Sequence, residues 1–592
     1  MGTFGSFTTV RLGIYSAQKG LDVTGNNITN INTVGYTRQQ LKQASLIPSV
    51  SDRYVSIYSA RIGQGAVVSG ITQLRDPGLD ISYRKAQSDV GSYDAKLEGL
   101  NDLATILDEV GKGSLEQDDG VILSQLNDLR DLISESITNG TDNTLIRTSA
   151  EELTTLFNSY ATKLSELKTT YEEKLDQEVD QINDILTQIR DLNEAIRNSD
   201  LRGDPGLELR DQRNVLLDEL SSYIKLDIKY SMESVGPNTE IEKLTVSIAG
   251  TNTKLVDGVY STQLATEDAA AGEGRYLSRN PNFNPTEAIS DKNRPYFKPD
   301  GTTTSNPDHA AKIENTNYSI VLSPLANKAG EQQLQRDKGT VLSDTVLYGS
   351  LQSIRELLTE KGSFATQDDI DDIDPNAATK RGIPYYQMAL DSLAYEFATQ
   401  MNNLNTYQNG KDGVKLQSPT SGTLFSMGSN TDDAVTVDGS GAVIAHITAA
   451  NISVSKKWAN NEVQIQTTDD PNAASGDTSR LAEFLALFDK KLEFNPKDID
   501  KAAAGAAYKG TFEDMLLNIE STLAKDQMST DAVLNNYVIA ANDAYVSREG
   551  VTGVDLNDEA TSLITYQKAY TAACRLLTTL EEALDSLINA TM

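Results

Sequence analysis

Apolar positions recur along this chain in two rhythms, one helical and one strand-like. Near the start, Val10, Ile14, Ala17, Leu21, Thr24, Ile28 and Ile31 step alternately by four and three, a heptad stripe that predicts an amphipathic helix. Near the end, Leu563, Tyr566, Tyr570, Cys574, Leu577, Leu580, Leu584 and Leu587 do the same. Neither helix has a local segment to pack on, so the pattern predicts that the two pair with each other and with neighbouring molecules. From Ile81 the chain reads as helical up to about Ile224. Its longest stripe passes from Leu153 through Tyr160, Tyr171, Val179 and Ile189 to Ile196, at about 3.6 residues per step, the period of a straight helix. Asp204-Pro205-Gly206 stops it, and a returning antiparallel helix is predicted over Leu207–Tyr223. Further helices are predicted at Tyr348–Thr359, Tyr385–Leu404, Ser479–Lys490 and Gly510–Glu549.

The two-residue rhythm of strands appears between these rods. Residues 51–80 read as a β-hairpin region, "YIKLDIKY", "KLTVSIAG" and "NYSIVLSP" as strands, and 412–470 as a second β block. Residues 266–310 carry Pro281, Pro285, Pro295, Pro299 and Pro307 and read as a loop-rich insertion. The order helix, β, helix, β, helix predicts a nested, mainly α fold with inserted β domains. In it, 1–50 and 546–592 form a terminal coiled-coil domain. Residues 51–228, 340–410 and 475–545 form a rod-like antiparallel helical domain, and 229–339 with 411–474 form β-rich outer domains.

Charge sharpens the pairing. The chain has 52 basic and 85 acidic residues, a formal −33, which argues against a nucleic-acid or anionic-membrane partner. Yet residues 1–50 carry Arg11, Lys19, Arg38 and Lys42 against Asp22 alone, whereas the stretch from Tyr545 holds three basic and seven acidic residues. Opposite signs on partner helices set register and orientation. Cys574 is the single cysteine, so no intrachain disulfide forms, and its place on an apolar stripe marks it as a core residue. The opening residues lack the basic and apolar regions of a signal peptide, and no run reaches the roughly 20 apolar residues of a membrane helix.

Catalytic chemistry is missing from the pattern. His309 and His446 stand apart, without metal partners at helical or ribbon spacing. Gly63, Gly65 and Gly70 have the wrong spacing for a dinucleotide loop. The acidic run from Asp368 to Asp374 lacks the glycine and closing glutamate of a calcium loop, and a solvated acidic loop is the simpler expectation. Asn27-Ile28-Thr29 fits a glycosylation sequon only formally, since Ile28 lies on the helical stripe. The expectation is a structural protein with no cofactor, no metal and no enzymatic activity.

Several stretches carry a likeness. "AQKGLDVTGNNITNINTVGYTRQQ" (17–40) resembles the N-terminal signature of bacterial flagellar axial proteins, the family of rod, hook and hook-associated proteins. Gly35-Tyr36-Thr37-Arg38-Gln39 resembles its hook-associated protein 1 branch. "IGQGAVVSGITQLRDPGLDISYRKA" (62–86), "LRDQRNVLLDELS" (209–221), "AANISVS" (449–455) and the stretch 546–588 resemble later family blocks. The resemblance implies a structural subunit at the junction between flagellar hook and filament. It further implies type III export without a cleaved signal, an extracellular location on the flagellum, and assembly as a ring or helical homo-oligomer. The implied partners are the hook protein, hook-associated protein 3 and an export chaperone on the C-terminal helix. A hook-type axial protein, or a surface protein whose β insertions act as an adhesin, stays open as an alternative. Within this reading, Asn26, Asn27, Asn30 and Asn32, crowded at the end of the first helix, are expected to satisfy its last carbonyls and bridge to adjacent subunits, with Ile28 and Ile31 on the apolar seam.

Overall fold

The computed structural model describes residues 3–46, 65–107, 120–236, 239–268, 318–326, 346–362, 381–406, 420–437, 443–468, 476–500 and 507–591, with short pieces at 275–277, 296–297, 303–304, 340–342 and 474. Most of the loop-rich 266–310 stretch, His309 and the run from Asp368 to Asp374 lie outside the described residues.

The helices are α1 (Thr3–Thr29), α2 (Pro77–Leu107), α3 (Val121–Asn139), α4 (Asn143–Leu201), α5 (Leu207–Tyr223), α6 (Gly349–Thr359), α7 (Ile383–Thr406), α8 (Lys456–Ala459), α9 (Ser479–Phe488), α10 (Pro496–Ile499), α11 (Phe512–Thr552) and α12 (Leu556–Thr591). Helix α4 has 59 residues, about 88 Å of rod. Asp142 caps its start by accepting from the Thr144 and Leu145 amides. At its far end the Arg202 and Asp204 amides donate to the Ser199 carbonyl, and Gly203 and Gly206 take positive φ so that α5 can turn back. One face of α4 is buried from Ile146 to Ser199. Its first half packs on α3, and its second half on α5 and the β strands after it. Helices α2 and α11 run antiparallel, with Tyr93 beside Tyr537 and Tyr83 beside Tyr545.

The β segments are antiparallel and small. Strands β1 (Gln39–Ser45) and β2 (Ala66–Gln73) pair as a ribbon. Strands β3 (Leu226–Gly236), β4 (Thr239–Ile248), β5 (Lys254–Asp257) and β6 (Tyr260–Ser261) form one four-stranded sheet, and β7 (Leu264–Asp268) belongs to another. Asparagines stitch these pieces to the rods. Asn183 on α4 donates to the Leu264 carbonyl and accepts from the Leu264 amide. Asn402 on α7 does the same for the Phe425 carbonyl and amide. A primary amide carries a donor and an acceptor side by side, so it satisfies a strand edge as a second strand would. A cluster of edge-to-face aromatics, Phe397, Phe425, Trp458 and Phe512, fills the space behind Asn402.

One continuous apolar core runs through α2 to α7, α9, the start of α11 and both β regions. The buried residues Val10, Ala17 and Val23 of α1 are not part of it. Two expectations shift. The ribbon begins at Gln39 rather than in 51–80, because the turn after α1 hands its backbone straight into a strand. And α11 continues through residue 546 to Thr552, so the chain changes direction at 553–555.

Candidate assembly interface and the joint beneath it

Helices α1 and α12 lie along each other. They are antiparallel, since Arg38, just beyond α1, meets Glu559 at the start of α12, while Gly20 meets Tyr566. A Cβ at Gly20 would fall 2.5 Å from Tyr566 Cδ1, so the missing side chain is what lets that ring approach the helix. The buried face of α1 is Val10, Ser16, Ala17, Gly20, Val23, Thr24 and Asn27. The heptad stripe therefore holds at Val10, Ala17 and Thr24, but Gly20 and Asn27 are buried in place of Leu21 and Ile28. Ile14, Leu21 and Ile28 are half-buried, and Ile31 is exposed. On α12, Tyr566, Cys574, Leu577, Leu580 and Leu584 are half-buried, while Leu563, Tyr570 and Leu587 are exposed. Ile564, Leu576 and Ile588 on other faces of α12 are exposed as well. The pair covers itself on one side only.

Three of the four asparagines at this helix end form hydrogen bonds within the chain. Asn27 is buried, donates to the Gln39 carbonyl at 3.0 Å, and accepts from the Gln39 amide at 3.0 Å and the Tyr36 hydroxyl at 2.8 Å. It is the helix-to-strand stitch seen elsewhere in the fold, so its donor and acceptor are used within the chain. Asn30 donates to the Asn26 carbonyl and side chain, and Asn26 in turn donates to Gln39 Oε1. Asn32 is exposed.

The segment after α1 is a joint. Gly35 takes φ +77°, and a Cβ there would overlap the Val215 side chain, so both backbone and space require glycine. The Thr37 amide and hydroxyl donate to Asp211 on α5 at 3.1 and 2.6 Å. The Arg38 amide donates to the Thr552 carbonyl, and its Nε to Glu559 at 2.8 Å. Gln39 Nε2 reaches Glu208, and Arg75 holds Asp80 with two hydrogen bonds while its guanidinium also reaches Thr37. Burial pushes Asp211 up to about 6 against the lowering effect of the Thr37 donors and Arg75. Burial, with the charges of Asp211, Glu208 and Glu559, raises the Tyr36 phenol. Behind the joint, Asp218 accepts from Arg84 at 2.7 Å and Arg548 at 2.6 Å, tying α2, α5 and α11 to one carboxylate. Arg548 also lies 4.0 Å over the Tyr83 ring.

Sequence reasoning placed the terminal helices together but assigned no role to Arg75, Glu208, Asp211, Asp218 or Glu559. The signal was present in the block around Leu209–Ser221, where Asp211, Arg213 and Asp218 interrupt an apolar helix. Buried charges of that kind need partners; those of Asp211 and Asp218 are more than a hundred residues away, whereas Arg213 meets Glu242 on the neighbouring sheet. Among the described residues, no group of three or more His, Cys, Asp or Glu side chains is arranged to hold a metal ion, and no helix is long and apolar enough to cross a membrane.

Comparison with known proteins shows what the chain is similar to. Residues 100–292 match the family described as flagellar hook-associated protein FlgK helical domain, and 551–590 match flagellar basal body rod FlgEFG protein C-terminal. The flagellar hook-associated protein 1 of Bacillus subtilis is 24% identical over 592 residues, covering 99% of this chain and 98% of that protein. The protein of that name from Salmonella typhimurium is 22% identical over 98% of each. A solved flagellar hook junction protein from Burkholderia pseudomallei aligns at 19% identity and TM-score 0.36, over 60% of this chain and 49% of that one. The relatives align from end to end, and the family matches fall on the long helices and on α12. Along its whole length the chain is similar to flagellar hook-associated protein 1, and residues 100–292 match that protein's helical-domain family.

Proposed function

We propose that the chain is a structural subunit of the flagellum that joins hook to filament, and that it assembles through the outward side of the α1/α12 pair. The observation that carries this is the one-sided cover of that pair. Leu563, Ile564, Tyr570, Leu576, Leu587 and Ile588 are exposed on a helix outside the main core, an arrangement that becomes favourable once other subunits cover it. The interface residues proposed are Ile14, Leu21, Ile28, Ile31 and Asn32 with the α12 stripe, while Val10 and Ala17 hold the pair together and Asn26, Asn27 and Asn30 support it from inside. The terminal pair forms one domain, the helical rods a second and the β segments outer insertions, with the C-terminal edge of the rods at 553 rather than 545. The partners proposed are further copies of the chain, the hook protein, hook-associated protein 3 and an export chaperone on α12. Export through the flagellar channel is supported by the single cysteine, since no disulfide must form afterwards. A hook-type role is not favoured, because the match over 100–292 is to the hook-associated helical domain.

The test is an add-on assay, in which purified chain is mixed with isolated hooks and the hook ends are imaged by electron microscopy. A discrete layer at the distal end is expected with the full chain and is expected to vanish when residues 1–40 or 550–592 are removed. Layers that persist without either terminal segment would sink the assignment.

A further inference from the structure

An open-sided cleft of about 760 Å³ lies between the turn after α1 and the α4/α5 hairpin. Asp191, Glu208 and Asp211 line it, with no basic residue among its lining side chains. Two of these carboxylates are approached from behind, Asp191 by Arg190 at 2.8 Å and Asp211 by Arg75 at 3.9 Å. Glu208 receives only the neutral Gln39 amide among the described residues. The apolar part of the wall includes Leu192, Val215 and Val34, and Val34 is 87% exposed, the barest large apolar side chain described. A surface with acids along one edge and an uncovered valine on another fits a basic segment with apolar flanks.

We propose that this cleft receives a basic stretch from the first 75 residues of a second copy of the chain. Those residues hold seven basic side chains, Arg11, Lys19, Arg38, Lys42, Arg53, Arg61 and Arg75, against Asp22 and Asp52, in a chain of net charge −33. Within one copy Arg38 and Arg75 are already held by Glu559 and Asp80. Arg11 and Lys42 are exposed and remain available to a neighbour. The contact is separate from the α1/α12 apolar side and orients one subunit against the next by charge, which resists wrong registers. It rests on the reading of the chain as an assembling subunit.

The experiment places a photo-cross-linking amino acid at Gln212, an exposed position on the cleft, in the full chain, and irradiates layers assembled on hooks. Layer formation itself is scored first and tests the assembly reading. Within formed layers, cross-linked peptides are expected to come from residues 1–75 of a second copy. Their yield is expected to fall several-fold with Glu208→Gln, which removes a charge from the cleft and keeps an acceptor for Gln39, and to fall again at high salt. Layers whose cross-links lead to another protein, to another part of the chain, or to nothing would overturn the inference and leave the assembly reading standing.

Discussion

At the residue scale, function rests on side chains that replace backbone partners. Asn27 supplies a donor and an acceptor to Gln39, so Asn27→Leu, similar in size, leaves a buried amide and a buried carbonyl unpaired. A loss of about 1–3 kcal/mol is expected, read as a lower denaturant midpoint and faster hydrogen exchange at 36–39. Gly35→Ala meets both a left-handed φ and the Val215 side chain, with an expected cost of about 1–3 kcal/mol. The same two measurements check it, and Val215→Ala in the same chain is expected to relieve part of the loss. Asp211 carries a pH signature. Its folded-state value, about 6, lies above its ordinary 3.8, so the folded state holds the proton more tightly. The stability it contributes is full below about pH 4 and is lost as pH rises through 6. Urea titrations at pH 4 to 7 are expected to show that downward slope in the native chain and a flatter one in Asp211→Asn.

At the scale of elements, single carboxylates decide how rods meet. Asp218 holds Arg84 and Arg548, and Arg84 is only 4% exposed. Asp218→Ala strands a buried guanidinium, with an expected loss of about 3–5 kcal/mol, checked by chemical denaturation against Asp218→Asn, which keeps one acceptor and loses less. Glu178 on α4 faces α6, accepts from Ser350 and is pushed up to about 7 by burial. Its sign is that of Asp211, with stability lost as pH rises through 7. Glu178→Gln is therefore expected to melt higher than the native chain at pH 8 and close to it at pH 4.

At the scale of the whole molecule, a rigid core carries a loosely covered pair. The body shares one apolar core from α2 to the start of α11, whereas the terminal pair leaves most of α12 exposed and joins the body through the 35–39 segment and the 553–555 turn. Local opening costs least where few apolar contacts are broken. In dilute monomer, amides of Ile14–Leu21 and of α12 are expected to exchange well before those of α4, and to gain protection on assembly. Equal protection in the free chain would show that the pair needs no neighbour.

How much of this could be read beforehand follows from the range of the forces involved. Periodicity alone determined the helices. Leu207–Tyr223 was placed to the residue, α4 was recognised as a straight rod, and the terminal stripes were matched by spacing and charge, because amphipathic faces are written locally, every three or four residues. The strands of the first sheet were visible for the same reason. Tertiary structure alone decided the rest. It rotated the buried face of α1 onto Gly20 and Asn27, since a neighbouring tyrosine and a strand edge, not hydrophobicity, choose what lies inside there. It started the ribbon at Gln39, since the partner that satisfies that backbone sits twelve residues back on a helix. It also brought Thr37 to Asp211 and Arg38 to Glu559, across 174 and 521 residues. Such pairings leave no periodic trace, because a buried charge records only that a partner exists and not where the chain will bring it.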